Sequence, residues 1–233
     1  MHVEYANYIE EPLVPYRKNI FQKLIQQISG GDVCDLGSHA VGHYWALGYA
    51  ERVNTFSFYD FSDDALVMQQ EAIDMLSPME IQERYGDTLE FLRISGMVSE
   101  DSEITALAIQ EKFEGTKQFN FLEDDPSEQF NWVIAFESLE IVKTPDEYIQ
   151  SFKTARKLLR EDTGKLLSVV VPYLNHDKDV ECLCNNGLEG LLNPDLDETR
   201  SAIDQAGFKD FNLEIVKTHM ENYPDAYFIT ANS

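Results

Sequence analysis

Basic residues are scarce in this chain. Only 18 Lys and Arg stand against 42 Asp and Glu in 233 residues, a formal net charge of −24. A surface of that sign repels a phosphate backbone and an anionic membrane alike. The nearest basic cluster, Arg156, Lys157 and Arg160, falls at the end of an expected helix, where cations pair with the negative helix terminus. Cysteine is sparse too. Cys34, Cys182 and Cys184 are odd in number and give no disulfide framework. Cys182-Leu-Cys184 is too tightly spaced for a zinc half-site, and Cys34 reads as a small hydrophobe in a core strand. No apolar run reaches the ~18 residues of a membrane-spanning helix. The longest, Lys165 to Pro172, has the length of a buried strand. The N-terminus lacks a basic start followed by an apolar stretch, so no signal peptide is expected. A reducing, cytoplasmic compartment is the expectation.

What the chain does have is core-forming material. Apolar residues make up 43% and aromatics 12%, too much for a disordered chain. The length suits a single domain over 1–233, with residues 1–29 as an N-terminal lid and helix and 77–116 as a helical insert. Roughly 70–75% of the unfolded surface can be buried at this size. Tyr16, Ile20, Phe21, Leu24, Ile25 and Ile28 recur at helical spacing, and Ser29-Gly30-Gly31 stops the helix. Strands are expected at 33–36, 54–59, 117–122, 131–136 and 166–171, with helices between them. Thr144-Pro-Asp-Glu147 carries a capping box with proline at the first helical position. A helix over 197–206 ends at Gly207, and strands at 208–217 and 226–231 close the chain as a hairpin around Asn222-Tyr-Pro-Asp225. Alternation of strand and helix implies a parallel sheet, and the hairpin reverses one strand.

Chemistry concentrates at the expected carboxyl ends of strands. In Val33-Cys-Asp-Leu-Gly-Ser-His-Ala-Val-Gly42 a buried strand runs into an acid, a glycine turn and a helix. Open parallel sheets bind ligands at such ends, and glycine there allows close backbone approach. The next strand ends in Asp60-Phe61-Ser62-Asp-Asp-Ala-Leu66. An acid there can take both hydroxyls of a ribose, or it can simply cap the following helix. Together these stretches resemble motif I (acid-x-Gly-x-Gly-x-Gly) and the acid-x-Ser-x-x-x-Leu segment of class I S-adenosylmethionine (SAM)-dependent methyltransferases. Asp35 and Gly37 match. His39 stands in place of the second glycine, and Asn131 in place of the usual fourth-strand acid. The nicotinamide fingerprint Gly-x-Gly-x-x-Gly is absent. The resemblance covers about residues 30–76 and 117–231.

That resemblance implies an α/β, Rossmann-like sheet of seven mostly parallel strands in the order 3-2-1-4-5-7-6, the last strand antiparallel. It implies SAM as cofactor, contacted by Asp35, Gly37, Ser38, His39, Asp60, Phe61, Ser62 and Phe136. An acid after the third strand would accept from the adenine amino group. Asp124 is preferred, with Glu123 and Asp125 as alternatives. Glu137, Tyr173 and His176, at strand carboxyl ends, are candidate bases. Glu140, with lid tyrosines Tyr5 and Tyr8, is a candidate substrate contact. Enlarged segments of this kind are similar to those of small-molecule N-methyltransferases acting on nicotinamide or phenylethanolamine. A small-molecule acceptor is therefore expected, with no nucleic-acid or membrane partner and the oligomeric state left open. His39 and His43 are four apart but lack companions for a zinc site, so no metal is expected. An aminopropyl-transferase-like enzyme and a non-catalytic interaction module on the same fold are the alternative readings.

Overall fold

The computed structural model describes residues 15–39, 42–172, 190–217 and 225–233. Seven strands form one sheet in the order β3-β2-β1-β4-β5-β7-β6. This is the order expected from the sequence. The reversed strand is β7 (Ala226–Asn232), antiparallel to both β5 (Lys165–Val170) and β6 (Asp210–Val216). No helix among the described residues is long and apolar enough to cross a membrane. The described residues cluster into two compact units, those within 15–33 and 38–118 forming one, and those within 34–37 and 119–233 the other.

The first unit opens with α1 (Pro15–Gln27), whose Ile20, Leu24 and Ile25 are fully buried, as the helical spacing required. α2 (Gly42–Tyr49) lies against it. A side chain at Gly48 would meet Ile25 and Phe21 at 3.0 Å, so glycine permits the close approach. β2 (Thr55–Asp60) pairs in parallel with β3 (Phe113–Gln118), and an aromatic seam of Tyr49, Phe56, Phe58 and Phe113 fills the space beside them, with ring centroids 5.1–5.6 Å apart. Three helices connect the two strands: α3 (Asp63–Asp74), α4 (Pro78–Ile94) and α5 (Ser102–Lys112). Ser62, Ser77 and Asp101 cap their N-termini by accepting from backbone N–H groups. α4 runs through Gly86 and departs from helical geometry at Tyr85.

The third strand lies at 113–118, not 117–122, so the last four residues of the expected insert belong to the sheet. Phe119 and Phe121 are buried all the same, but Phe121 sits in a turn rather than in the sheet. Their alternation with polar residues imitates a strand. β3 itself is half-exposed throughout, contains Gly115 at φ +129°, and shifts register against β2 between Phe56 and Ser57.

In the second unit β1 (Asp32–Leu36) contributes its last residues, and β4 (Trp132–Phe136) pairs in parallel with β5. α6 (Pro145–Lys157) and α7 (Leu196–Ala206) pack together, with the Tyr148 hydroxyl 3.1 Å from the Thr199 hydroxyl. Both helices start with a complete capping box, Thr144 with Glu147 and Asp195 with Glu198. α7 ends at Gly207 in the left-handed conformation, φ +82°. The Thr144 cap is a clean test of how far local chemistry holds α6. Thr144→Ala should cost about 1 kcal/mol in urea unfolding, and an unchanged midpoint would show that tertiary packing alone fixes that helix.

Candidate functional site

In the first unit the chemistry gathers around one buried carboxylate. Asp60 is the last residue of β2 and only 1% exposed. Its Oδ2 accepts from the His39 N–H at 2.8 Å, and its Oδ1 from the Ser62 N–H at 2.9 Å. The Nδ1 of His39 lies 3.9 Å from the same carboxylate. His39 is held at φ +50°, a left-handed backbone unusual for a residue with a Cβ. Ser38 N–H donates to the Tyr59 carbonyl, and its hydroxyl accepts from the Gln69 amide at 2.8 Å. The same Gln69 amide donates to the His39 carbonyl. Gln69 is fully buried on the core face of α3, between Leu66 and Ile73. The sequence reading missed it, although a glutamine in an apolar helical stripe is a usable signal.

Ser38, His39, Asp60 and Ser62 therefore lie together. The Ser62 hydroxyl, however, is engaged as the α3 cap, accepting from Ala65 N–H. Phe61 turns outward and is 57% exposed. His39 precedes α2 and does not share a helix face with His43. The His43 ring packs on Tyr44 at 4.7 Å and on Tyr85 at 5.7 Å. Burial, with the nearby Arg84 charge, pulls its pKa down to about 4.

In the second unit Asp35 is buried at the end of β1, and Gly37 follows at φ +68°. A Cβ on Gly37 would lie 2.5 Å from the Cβ of Ser138, whose hydroxyl donates to the Leu36 carbonyl at 2.9 Å. Ser138 is a second residue that sequence reading passed over. After β4, Glu137 is buried at φ +50° with its N–H bonded to the Val169 carbonyl. Strained non-glycine backbone of this kind collects at functional positions. Phe136, half-buried, precedes it.

Glu140 is 2% exposed. Its Oε1 accepts from Val171 N–H at 2.9 Å, while its Oε2 has no hydrogen-bond partner among the described residues. Burial pushes its pKa up to about 8, with the Glu137 charge adding to the rise and the Val171 N–H opposing it. Asp124 is exposed, and its carboxylate accepts from Asn120 N–H at 2.7 Å within its own turn. Glu123 is also exposed, and Asp125 pairs with Lys157 at 2.6 Å. Tyr5, Tyr8, Tyr173 and His176 lie outside the described residues, as do Cys182 and Cys184.

The residues present fit an adenosyl group. Asp60 is a dry, immobilised carboxylate, and each of its oxygens retains acceptor capacity beyond its one backbone bond. No group of three metal-ligating side chains occurs among the described residues.

No protein-family model matches the chain, and no curated protein does. Solved structures do. The chain is similar in fold to NodS, an N-methyltransferase from Bradyrhizobium japonicum solved with S-adenosyl-L-homocysteine (SAH), with a TM-score of 0.59 at 8% identity over 94% of this chain and 88% of that one. A SAM-dependent methyltransferase from Leishmania major gives 0.61 at 8% identity, over 93% of this chain and 72% of that one. The DhpI–SAM–HEP complex gives 0.56 at 14% identity, over 98% and 92%. The fold is thus the Rossmann-like one of class I SAM-dependent methyltransferases.

Two outcomes are expected from this geometry. Glu140 binds its proton more tightly folded than unfolded, so its stabilising contribution is complete below pH ~4.5 and is lost as pH rises through about 8. Unfolding free energy of the wild type should fall across that window by up to about 1.4 kcal/mol per pH unit, and Glu140→Gln should flatten the fall. Parallel pH profiles would refute the assignment. Gly37→Ala combines positive φ with the Ser138 clash and should destabilise by roughly 1–3 kcal/mol. Chemical denaturation with unchanged stability would show that the turn adapts.

Proposed function

We propose that the chain is a SAM-dependent methyltransferase acting on a small-molecule acceptor through a nitrogen or oxygen nucleophile, with an amine preferred. The observation that carries the reading is Asp60, an acid at the carboxyl end of the second strand with both oxygens fixed by backbone N–H groups. A preorganised carboxylate can take two adjacent ribose hydroxyls with little reorganisation. The solved neighbours named with SAM or SAH support the same cofactor.

When bound, SAM supplies a methyl group activated by a sulfonium. The rest falls to the chain. In the first unit Asp60 holds the ribose, bordered by Ser38, His39, Phe61 and Ser62. In the second, Asp35 and Gly37 serve the amino-acid end, Asp124 the adenine amino group, and Phe136 an apolar wall. The acceptor must be held in line with the methyl carbon, and orientation alone is worth about 7–11 kcal/mol. Methyl transfer to an amine would release one proton, which the chain must accept. The amine proton goes to Glu137, with Tyr173 and His176 as further proposed bases. A protonated Glu140 offers the acceptor a hydrogen bond rather than a counter-charge, so pairing with a cationic acceptor is left to Glu137. The compartment proposed is the cytoplasm.

Calorimetric titration with SAH tests the reading. Wild type should bind in the micromolar range, and Asp60→Ala should bind at least about tenfold more weakly, since each hydrogen bond to a charged group contributes about 1.5–3 kcal/mol. Absence of SAH binding by the folded wild type would end the methyltransferase proposal. Glu137→Gln should retain SAH binding and lose turnover once an amine acceptor is found.

A further inference from the structure

Nine large apolar side chains are exposed among the described residues, and eight of them fall between Phe61 and Leu107. They are not scattered. On α3, Leu66, Gln69 and Ile73 face the core, and Asp64, Val67, Met68, Glu71 and Asp74 occupy the opposite, exposed face at spacings of three and four, continued by the exposed C-cap Met75. On α5, Thr105, Ala106, Ala108 and Ile109 are buried, and Glu103, Ile104, Leu107 and Glu111 form the exposed stripe. The two helices pack against each other, and their C-terminal ends are tied by the Gln110 amide donating to the Leu76 carbonyl at 2.5 Å. Met79 and Ile94, at opposite ends of α4, are 68% and 80% exposed.

The charge around these side chains has one sign. Residues 61–116 carry thirteen acids and three bases. Each of the three bases is already engaged. Arg84 pairs with Glu80, Arg93 donates to the Ser102 hydroxyl, and the Lys112 ammonium donates to the Ala50 and Glu51 carbonyls. An apolar strip with methionines, rimmed by carboxylates, is complementary to a helix that has one apolar and one cationic face. A second copy of this chain would bring acid against acid, and an anionic lipid surface would be repelled.

We propose that the exposed α3–α5 face is a docking surface for a basic amphipathic helix of a partner protein. Val67, Met68, Met75, Ile104 and Leu107 provide the apolar contact. Asp64, Glu71, Asp74, Glu103 and Glu111 fix orientation and speed encounter. The surface lies on the face of α3 opposite Gln69 and uses none of the residues bonded to Asp60, so the proposal stands whether or not the chain methylates anything.

The test uses a labelled 14-residue Leu/Lys peptide patterned as an amphipathic helix, and a scrambled peptide of the same composition. Anisotropy should report micromolar binding of the patterned peptide, weakened several-fold by raised salt, with helix induction in circular dichroism. A Val67→Ser, Met68→Ser, Leu107→Ser variant, changed only at exposed positions, should keep its fold and SAH binding and lose tenfold or more in peptide affinity. Equal binding of both peptides, or unchanged binding by the variant, would reduce the surface to unspecific charge and overturn the proposal. So would no binding. A wild-type dimer in sedimentation that the variant dissolves would assign the face to a second copy instead. Attachment to phosphatidylcholine vesicles that the variant abolishes would assign it to lipid.

Discussion

One carboxylate holds two strand-to-helix connections of the first unit in register. The Asp60 side chain accepts from the N–H of His39, in the turn after β1, and from the N–H of Ser62, at the cap of α3. Without it, two part-buried backbone donors lose their partner, at up to about 1–3 kcal/mol for each group left unsatisfied. The same contact keeps His39 in its left-handed conformation and leaves Ser62 free to cap α3. Gln69 closes the arrangement from the core side by bonding both Ser38 and His39. Such interdependence explains how polar groups can be buried so deeply at a strand end: each is bonded to another.

The second unit contains a buried acid in the contrary situation. Glu140 has one oxygen bonded to Val171 N–H and the other unmatched among the described residues. Desolvation therefore decides its protonation. Two carboxyl groups in one chain are thus assigned to different tasks by their surroundings, one as a fixed anchor for hydrogen bonds and one as a neutral group that yields its proton only in alkaline solution. The strained backbone at Glu137, three residues earlier, lies in the same short segment after β4.

Much of this was legible in the sequence. Thr144-Pro-Asp-Glu147 and Gly207 mark helix ends by local chemistry that tertiary context seldom overrides, and both stand where expected. Alternation of elements and a terminal hairpin pointed to a parallel sheet with one reversed strand, and the strand order is the one that the resemblance to class I methyltransferases implied. Asp60 was legible because an acid ending a strand before a capped helix is a compact local pattern. Other features depended on distance in the chain. Ser138 lies about a hundred residues from the Leu36 carbonyl it bonds, and no local rule connects them. Gln69 looks like a surface residue until its partners are known. β3 misled because its own residues do not alternate in burial, whereas the neighbouring Phe119 and Phe121 do. The outward turn of the Phe61 ring, 57% exposed, was not legible in the motif that contains it.

The irregularity of β3 has a further consequence for the isolated molecule. A sheet that does not close on itself leaves two rows of unsatisfied amide and carbonyl groups along its margins, and such rows invite cross-β stacking with other copies. Here β3 and β6 form those margins. β3 breaks its ladder with Gly115 and a register shift and displays Glu114. β6 displays Asp210, Asn212 and Glu214. Both outer strands are therefore poor templates for polymerisation. The large negative charge keeps neighbouring molecules apart over the Debye length of the medium, which makes fibrillar association least favourable in dilute salt.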